Sequence, residues 1–183
     1  MWEKDARQIC PEIHYRDTGA GIKITGCYGA DGRVVLPDKI GGVPVTGIAA
    51  YAFAGNGQEN QEDGQIYRNE EVSAKEELPR LCGSRVTEIW LPSEVTEIGR
   101  YAFYRCRNLE RLILTDSLME IGGGVFTGCR LSEVEICFFR GERSCLKSIL
   151  DEMRYTIRAR LWYCGEVRAD AGRVVFPEHY EEA

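Results

Sequence analysis

Apolar residues recur along this chain at intervals that no single helix or strand produces. The stretch "VTEIGRYAFYRC" at 95–106 returns with substitutions as "VTGIAAYAFAGN" at 45–56 and "LMEIGGGVFTGC" at 118–129. Ile98 and Ile121 lie 23 positions apart, as do Phe103 and Phe126, and Cys106 and Cys129. A short alternating run leads into the later blocks. "VTEIWLP" at 86–92 and "LERLILT" at 109–115 keep the 23-residue offset, and "LSEVEIC" at 131–137 comes one residue early. Strand alternation puts Leu112 and Leu114 on one side and Arg111 and Ile113 on the other. A period in the twenties, each unit burying its apolar edge against the next, predicts a solenoid with one short parallel strand per coil.

Stacked coils sort the residues into columns. Val34, Ile89, Leu112 and Val134 form one buried column; Leu36, Leu91, Leu114 and Ile136 form a second; Ile48, Ile98 and Ile121 form a third. Phe53, Phe103 and Phe126 fill the wide end as an aromatic spine, and Gly99 and Gly122 mark a turn with little room for a side chain. Cys106 and Cys129 stand where the first copy has Asn56, and read as small buried apolar residues. The unit L-x-x-L-x-L-P-x-x-[LV]-x-x-I-G-x-x-A-F-x-x-C resembles the BspA-like class of leucine-rich repeat, over residues 22–56 and 86–137. That resemblance implies a right-handed solenoid used to bind proteins or other macromolecules, in a family commonly bacterial and often displayed on the cell surface.

The segments between and around the repeats differ in pattern. Residues 1–12 read as a lead. "IHYRDTGAGIKITG" reads as a hairpin that caps the front of a repeat domain spanning 13–137. Residues 57–85 interrupt the register with a polar, acidic insert, expected to be a loop or disordered excursion. After Cys137 the repeats are expected to stop. Leu146, Ile149, Leu150 and Met153 then make one helical stripe, and "YTIRARLWY" followed by "RVVFP" makes a hairpin, so 138–183 read as a helix–hairpin C-terminal cap. The fold class expected is therefore a β-rich (α+β) leucine-rich repeat solenoid capped at both ends.

Composition changes this picture little. The net charge of −6 argues against a nucleic-acid-binding chain. No apolar run reaches the ~18–20 residues of a membrane helix, and "MWEKDARQIC" has no secretory pattern, so the expected location is cytoplasmic. Eight cysteines with no CxxC pair point to reduced thiols in a cytosolic protein rather than to a zinc site or disulfide framework. Two histidines, His14 and His179, show no spacing to Cys145 or Cys164 that would suggest a thiol–imidazole pair. "GGG" at 122–124 is in phase with "GRY" at 99–101 and is the repeat's own turn, not a phosphate loop. No catalytic residue, metal or cofactor is expected.

Two surfaces stand out as candidates. On the outward side of the strands, Val35, Trp90, Ile113 and Glu135 form one column and Arg33, Glu88, Arg111 and Glu133 the next. Three large apolar side chains beside alternating charges suggest a contact surface for a protein partner, with a second copy of the chain as one candidate. The function this implies is macromolecular recognition by Val35, Trp90 and Ile113, oriented by Arg33, Glu88 and Arg111. The alternative is an anion or nucleic-acid site on the C-terminal hairpin, where Arg158, Arg160, Arg168 and Arg173 lie near Trp162.

Overall fold

The computed structural model describes residues 9–55, 64–69, 77–138, 152, 160–165 and 173–175. Almost all its regular structure is β. The strands are β1 (Glu12–Asp17), β2 (Ile22–Tyr28), β3 (Arg33–Val35), β4 (Lys39–Ile40), β5 (Val43–Ile48), β6 (Gln65–Arg68), β7 (Glu88–Trp90), β8 (Glu97–Ile98), β9 (Arg111–Thr115), β10 (Glu120–Ile121), β11 (Glu133–Phe138), β12 (Arg160–Gly165) and β13 (Arg173–Val175). Two sheets run through them. One has the order β10-β8-β5-β2-β1-β6, with β4 paired to β5, and the other β13-β12-β11-β9-β7-β3.

Each repeat supplies one strand to each sheet, and the sequence offset becomes the hydrogen-bond register. Val34 pairs with Ile89, Ile89 with Leu112 and Leu112 with Val134, all in parallel. These four are fully buried. In the other sheet Ile48 pairs with Ile98, and Ile98 with Ile121. Ile48 and Ile98 are buried, whereas Ile121 at the last unit is only half-buried. A third side of each unit is joined by backbone bonds between successive turns. The Phe53 N–H donates to the Ala102 carbonyl at 2.9 Å, and that of Phe103 to the Val125 carbonyl at 3.2 Å. This places the three phenylalanine rings in a stack, 5.6 Å and 5.8 Å between centroids, with all three buried in the core.

Gly99 and Gly122 make the close approach expected of them. A Cβ at Gly99 would stand 2.4 Å from the Ala50 nitrogen, and one at Gly122 would stand 2.3 Å from the Arg100 nitrogen. The left-handed backbone falls elsewhere in the turn, at Tyr51, Tyr101 and Arg105 with φ of 59°, 54° and 57°.

The front hairpin forms as expected, with β1 antiparallel to β2 and β2 parallel to β5. The insert differs from the expected loop. Its segment β6 pairs antiparallel with β1, Arg80 bridges to Tyr28, and Leu81 is buried in the core. Its charge explains the difference: Arg68 Nε donates to Glu12 at 2.8 Å, giving a largely buried carboxylate its partner. The rest of the insert, 57–63 and 70–76, lies outside the described residues.

The strand ladder also continues past Cys137. β12 pairs in parallel with β11, Val134 opposite Leu161 and Ile136 opposite Tyr163, and β13 returns antiparallel to it. Its backbone extends the ladder of the repeats. The helical stripe Leu146, Ile149, Leu150 and Met153 lies outside the described residues.

Candidate functional site

Trp90 lies at the centre of the strand-face candidate. It occupies the middle parallel strand of β3, β7 and β9, opposite Val35 on one side and Ile113 on the other. The Arg111 guanidinium stands 5.5 Å from the indole centroid, within cation–π range. Glu88 ties the two together: it accepts from the indole Nε1–H and, at 3.3 Å, from Arg111 Nη1. One carboxylate thus holds a half-buried aromatic and a half-exposed cation in a fixed relation.

The rest of the column departs from expectation. Val35 is 2 % exposed and Ile113 3 %, so the row of three exposed apolar side chains does not exist. Both are buried outside the contiguous core, on the outward side of the sheet. The large apolar side chains that are exposed among the described residues are Ile66 and Met119, on other strands and turns. Alternation fixes which way a side chain points, but not what lies over it. The charged column is also only partly as expected. Glu88 pairs with Arg111, while Arg33 turns away from its strand neighbour to Asp31 at 3.0 Å. Backbone register places Glu133 beside Arg111 and Glu135 beside Ile113.

At the N-terminal edge, the Cys10 N–H donates to the Val35 carbonyl at 3.0 Å and its thiol to the Arg33 carbonyl at 3.5 Å. Residues 9–10 therefore occupy the free edge of β3, where an added strand would otherwise dock.

Of the alternative anion site, Arg160 and Arg173 lie on β12 and β13, with Trp162 opposite Arg173. Arg158 and Arg168 lie outside the described residues.

Reactive groups are absorbed by the fold. The Cys106 thiol donates to the Phe53 carbonyl at 3.2 Å and the Cys129 thiol to the Phe103 carbonyl at 3.0 Å, each bonding back to the preceding turn. The adjacent Cys129 thiol, and then burial, push Cys106 well above its ordinary range. Burial and the Cys10 thiol do the same to Cys27. Such thiols are poor nucleophiles, because attack requires the thiolate. His14 bonds to Glu12 at 2.8 Å and packs its ring against Tyr28, centroids 4.5 Å apart. His179 and Cys145 lie outside the described residues. No group of His, Cys, Asp and Glu suited to a metal ion is present among the described residues.

A tyrosine–arginine ridge on the turns went unread in the sequence. Tyr51 stacks on Tyr101 at 5.4 Å, and Tyr104 meets Tyr101 edge-on at 5.6 Å. The signal was available: Tyr51 and Tyr101 are equivalent positions of the repeated block, and aromatic and arginine residues gather there.

Residues 81–152 match the family model of the BspA type leucine-rich repeat region, described as 6 copies. Over these residues the repeats are similar to the BspA type. That match reaches beyond the last strand-and-turn block legible by eye, in keeping with the continued ladder. Among solved structures, the chain is similar to a leucine-rich repeat protein from Bacteroides ovatus at 20% identity and a TM-score of 0.39, covering 71% of this chain and 36% of that one. The chain thus spans little more than a third of that protein's length. It is also similar to the T. pallidum leucine-rich repeat protein at 21% identity and a TM-score of 0.36, covering 79% of each. No curated protein matches it. No helix among the described residues is long and apolar enough to cross a membrane.

Proposed function

We propose that this chain is a non-catalytic protein-recognition module: a short BspA-type solenoid, capped by the β1–β2 hairpin and the C-terminal strands, that reads a protein partner through its strand face. The observation that carries this is the arrangement at Trp90, where Glu88 and Arg111 hold a half-buried indole at the middle of three parallel strands. Tryptophan and arginine fixed together in this way are the composition of an interface hot spot. Val35 and Ile113 serve as the buried floor beside the indole, and Arg33, Glu88 and Arg111 set the partner's orientation.

The test is capture from the host lysate by wild type and by Trp90→Glu, both confirmed folded by circular dichroism. A protein retained by wild type and lost by the variant supports the reading. Equal retention by both removes the strand face from consideration. Capture that collapses steeply with salt would favour an anionic partner on Arg158, Arg160 and Arg168 instead. Sedimentation of the purified chain checks whether the face is used by a second copy.

A further inference from the structure

The turns carry a second surface that the strand-face reading does not use. Tyr51, Tyr101 and Gly124 occupy one place in successive units, with φ of 59°, 54° and 70°. Arg105 and Gly128 share another, with φ of 57° and 80°. In the last of these units glycine fills both places, where left-handed backbone carries little penalty. In the two earlier units tyrosine fills the first place, and in the middle unit arginine fills the second, at a conformational cost that glycine avoids. Strained positions of this kind gather at binding sites, where the side chain is held for what it contacts.

The side chains form a continuous row. Beside the stacked Tyr51 and Tyr101 and the edge-on Tyr104, the Arg100 guanidinium lies 6.0 Å over the Tyr51 ring and that of Arg105 lies 5.1 Å over the Tyr104 ring. The tyrosines are half-buried and both arginines exposed. Neither arginine forms an ion pair among the described residues. The row ends in a notch at Gly124, where a Cβ would stand 2.3 Å from the Tyr101 ring. There the Gly124 N–H donates to the Glu152 carboxylate at 3.0 Å. The end of the row thus already receives a carboxylate.

We propose that this ridge docks an acidic, extended polypeptide segment, its carboxylates on Arg100 and Arg105 and its backbone crossing Tyr51, Tyr101 and Tyr104. Guanidinium groups laid on aromatic rings are pre-organised for paired bonds to a carboxylate. A nucleic acid fits less well. The rings stack on one another or lie beneath the arginines, leaving little open face for a base.

The test is fluorescence anisotropy with a labelled short glutamate–glycine peptide, using a lysine–glycine peptide and oligothymidylate as comparison probes. Arg100→Gln with Arg105→Gln should weaken the glutamate peptide roughly tenfold. Tyr51→Gly with Tyr101→Gly should also weaken it, since glycine accepts the backbone but removes the ring. Trp90→Glu should leave it unchanged, which separates this surface from the strand face. No binding of the glutamate peptide by wild type, or equal binding by the arginine variant, would overturn the proposal. So would tighter binding of oligothymidylate, or self-association of the chain that the arginine substitutions abolish.

Discussion

Replacing Phe103 by alanine tests whether the repeats share one continuous core. Phe103 is fully buried, with Phe53 at 5.6 Å on one side and Phe126 at 5.8 Å on the other, interplanar angles 25° and 23°. Truncating a buried phenylalanine costs about 3–5 kcal/mol, from lost transfer energy and the cavity left behind. Two aromatic neighbours, each pair worth about 0.5–1.5 kcal/mol beyond area, place this site near the upper end. We expect a loss of about 4–5 kcal/mol, a large share of the ~5–15 kcal/mol that holds a domain folded. For a chain of this size that lowers the Tm by roughly 10–15 °C. The assay is urea unfolding with Phe103→Leu beside it; leucine keeps most of the apolar volume but loses both ring pairs, and should cost about 1–3 kcal/mol. A loss under about 1 kcal/mol for alanine, within reach of surface substitutions, would refute the stacked spine. So would leucine and alanine variants of equal stability.

Three further outcomes follow from particular contacts. Gly99→Ala should destabilise by about 1–3 kcal/mol as overpacking against backbone, whereas Gly123→Ala, with nothing within 4 Å of the added Cβ, should be close to neutral in the same melt. Stability should fall as pH rises above 9.0, the ordinary value for both raised thiols, because the unfolded chain releases protons that folded Cys27 and Cys106 retain. Each thiol contributes about 1.4 kcal/mol per pH unit there, so Cys106→Ala should flatten the decline, as read from urea midpoints at neutral and alkaline pH. A double-mutant cycle on Glu88 and Arg111 should give only about 0.2–1 kcal/mol of coupling to stability, as expected for a half-exposed pair.

Much of the fold was legible because the repeat offset is itself the pairing register. Phe103 and Phe126 had to stack if Ile89 and Leu112 paired, and the inward columns follow from the offset alone. The outward side was not legible in the same way. Period-two alternation says that Val35 and Ile113 point away from the core, but it does not say whether they are buried there, and both are. The insert was misread because its polar composition resembles a loop, while β6 is held by one long-range pairing to Glu12 and by backbone bonds to β1. The strained tyrosines were hidden for another reason. Glycine marks a left-handed position in a sequence, and Tyr51, Tyr101 and Arg105 occupy such positions without that mark.

The most direct test of recognition through the strand face is hydroxyl-radical footprinting of Trp90, with and without the protein captured by wild type. Trp90 is half-buried and fixed by Glu88 and Arg111, so it reacts measurably in the free chain. Strong protection of Trp90 in the complex is the predicted result. Unchanged oxidation of Trp90 alongside protection at Tyr51, Tyr101 or another surface would contradict it.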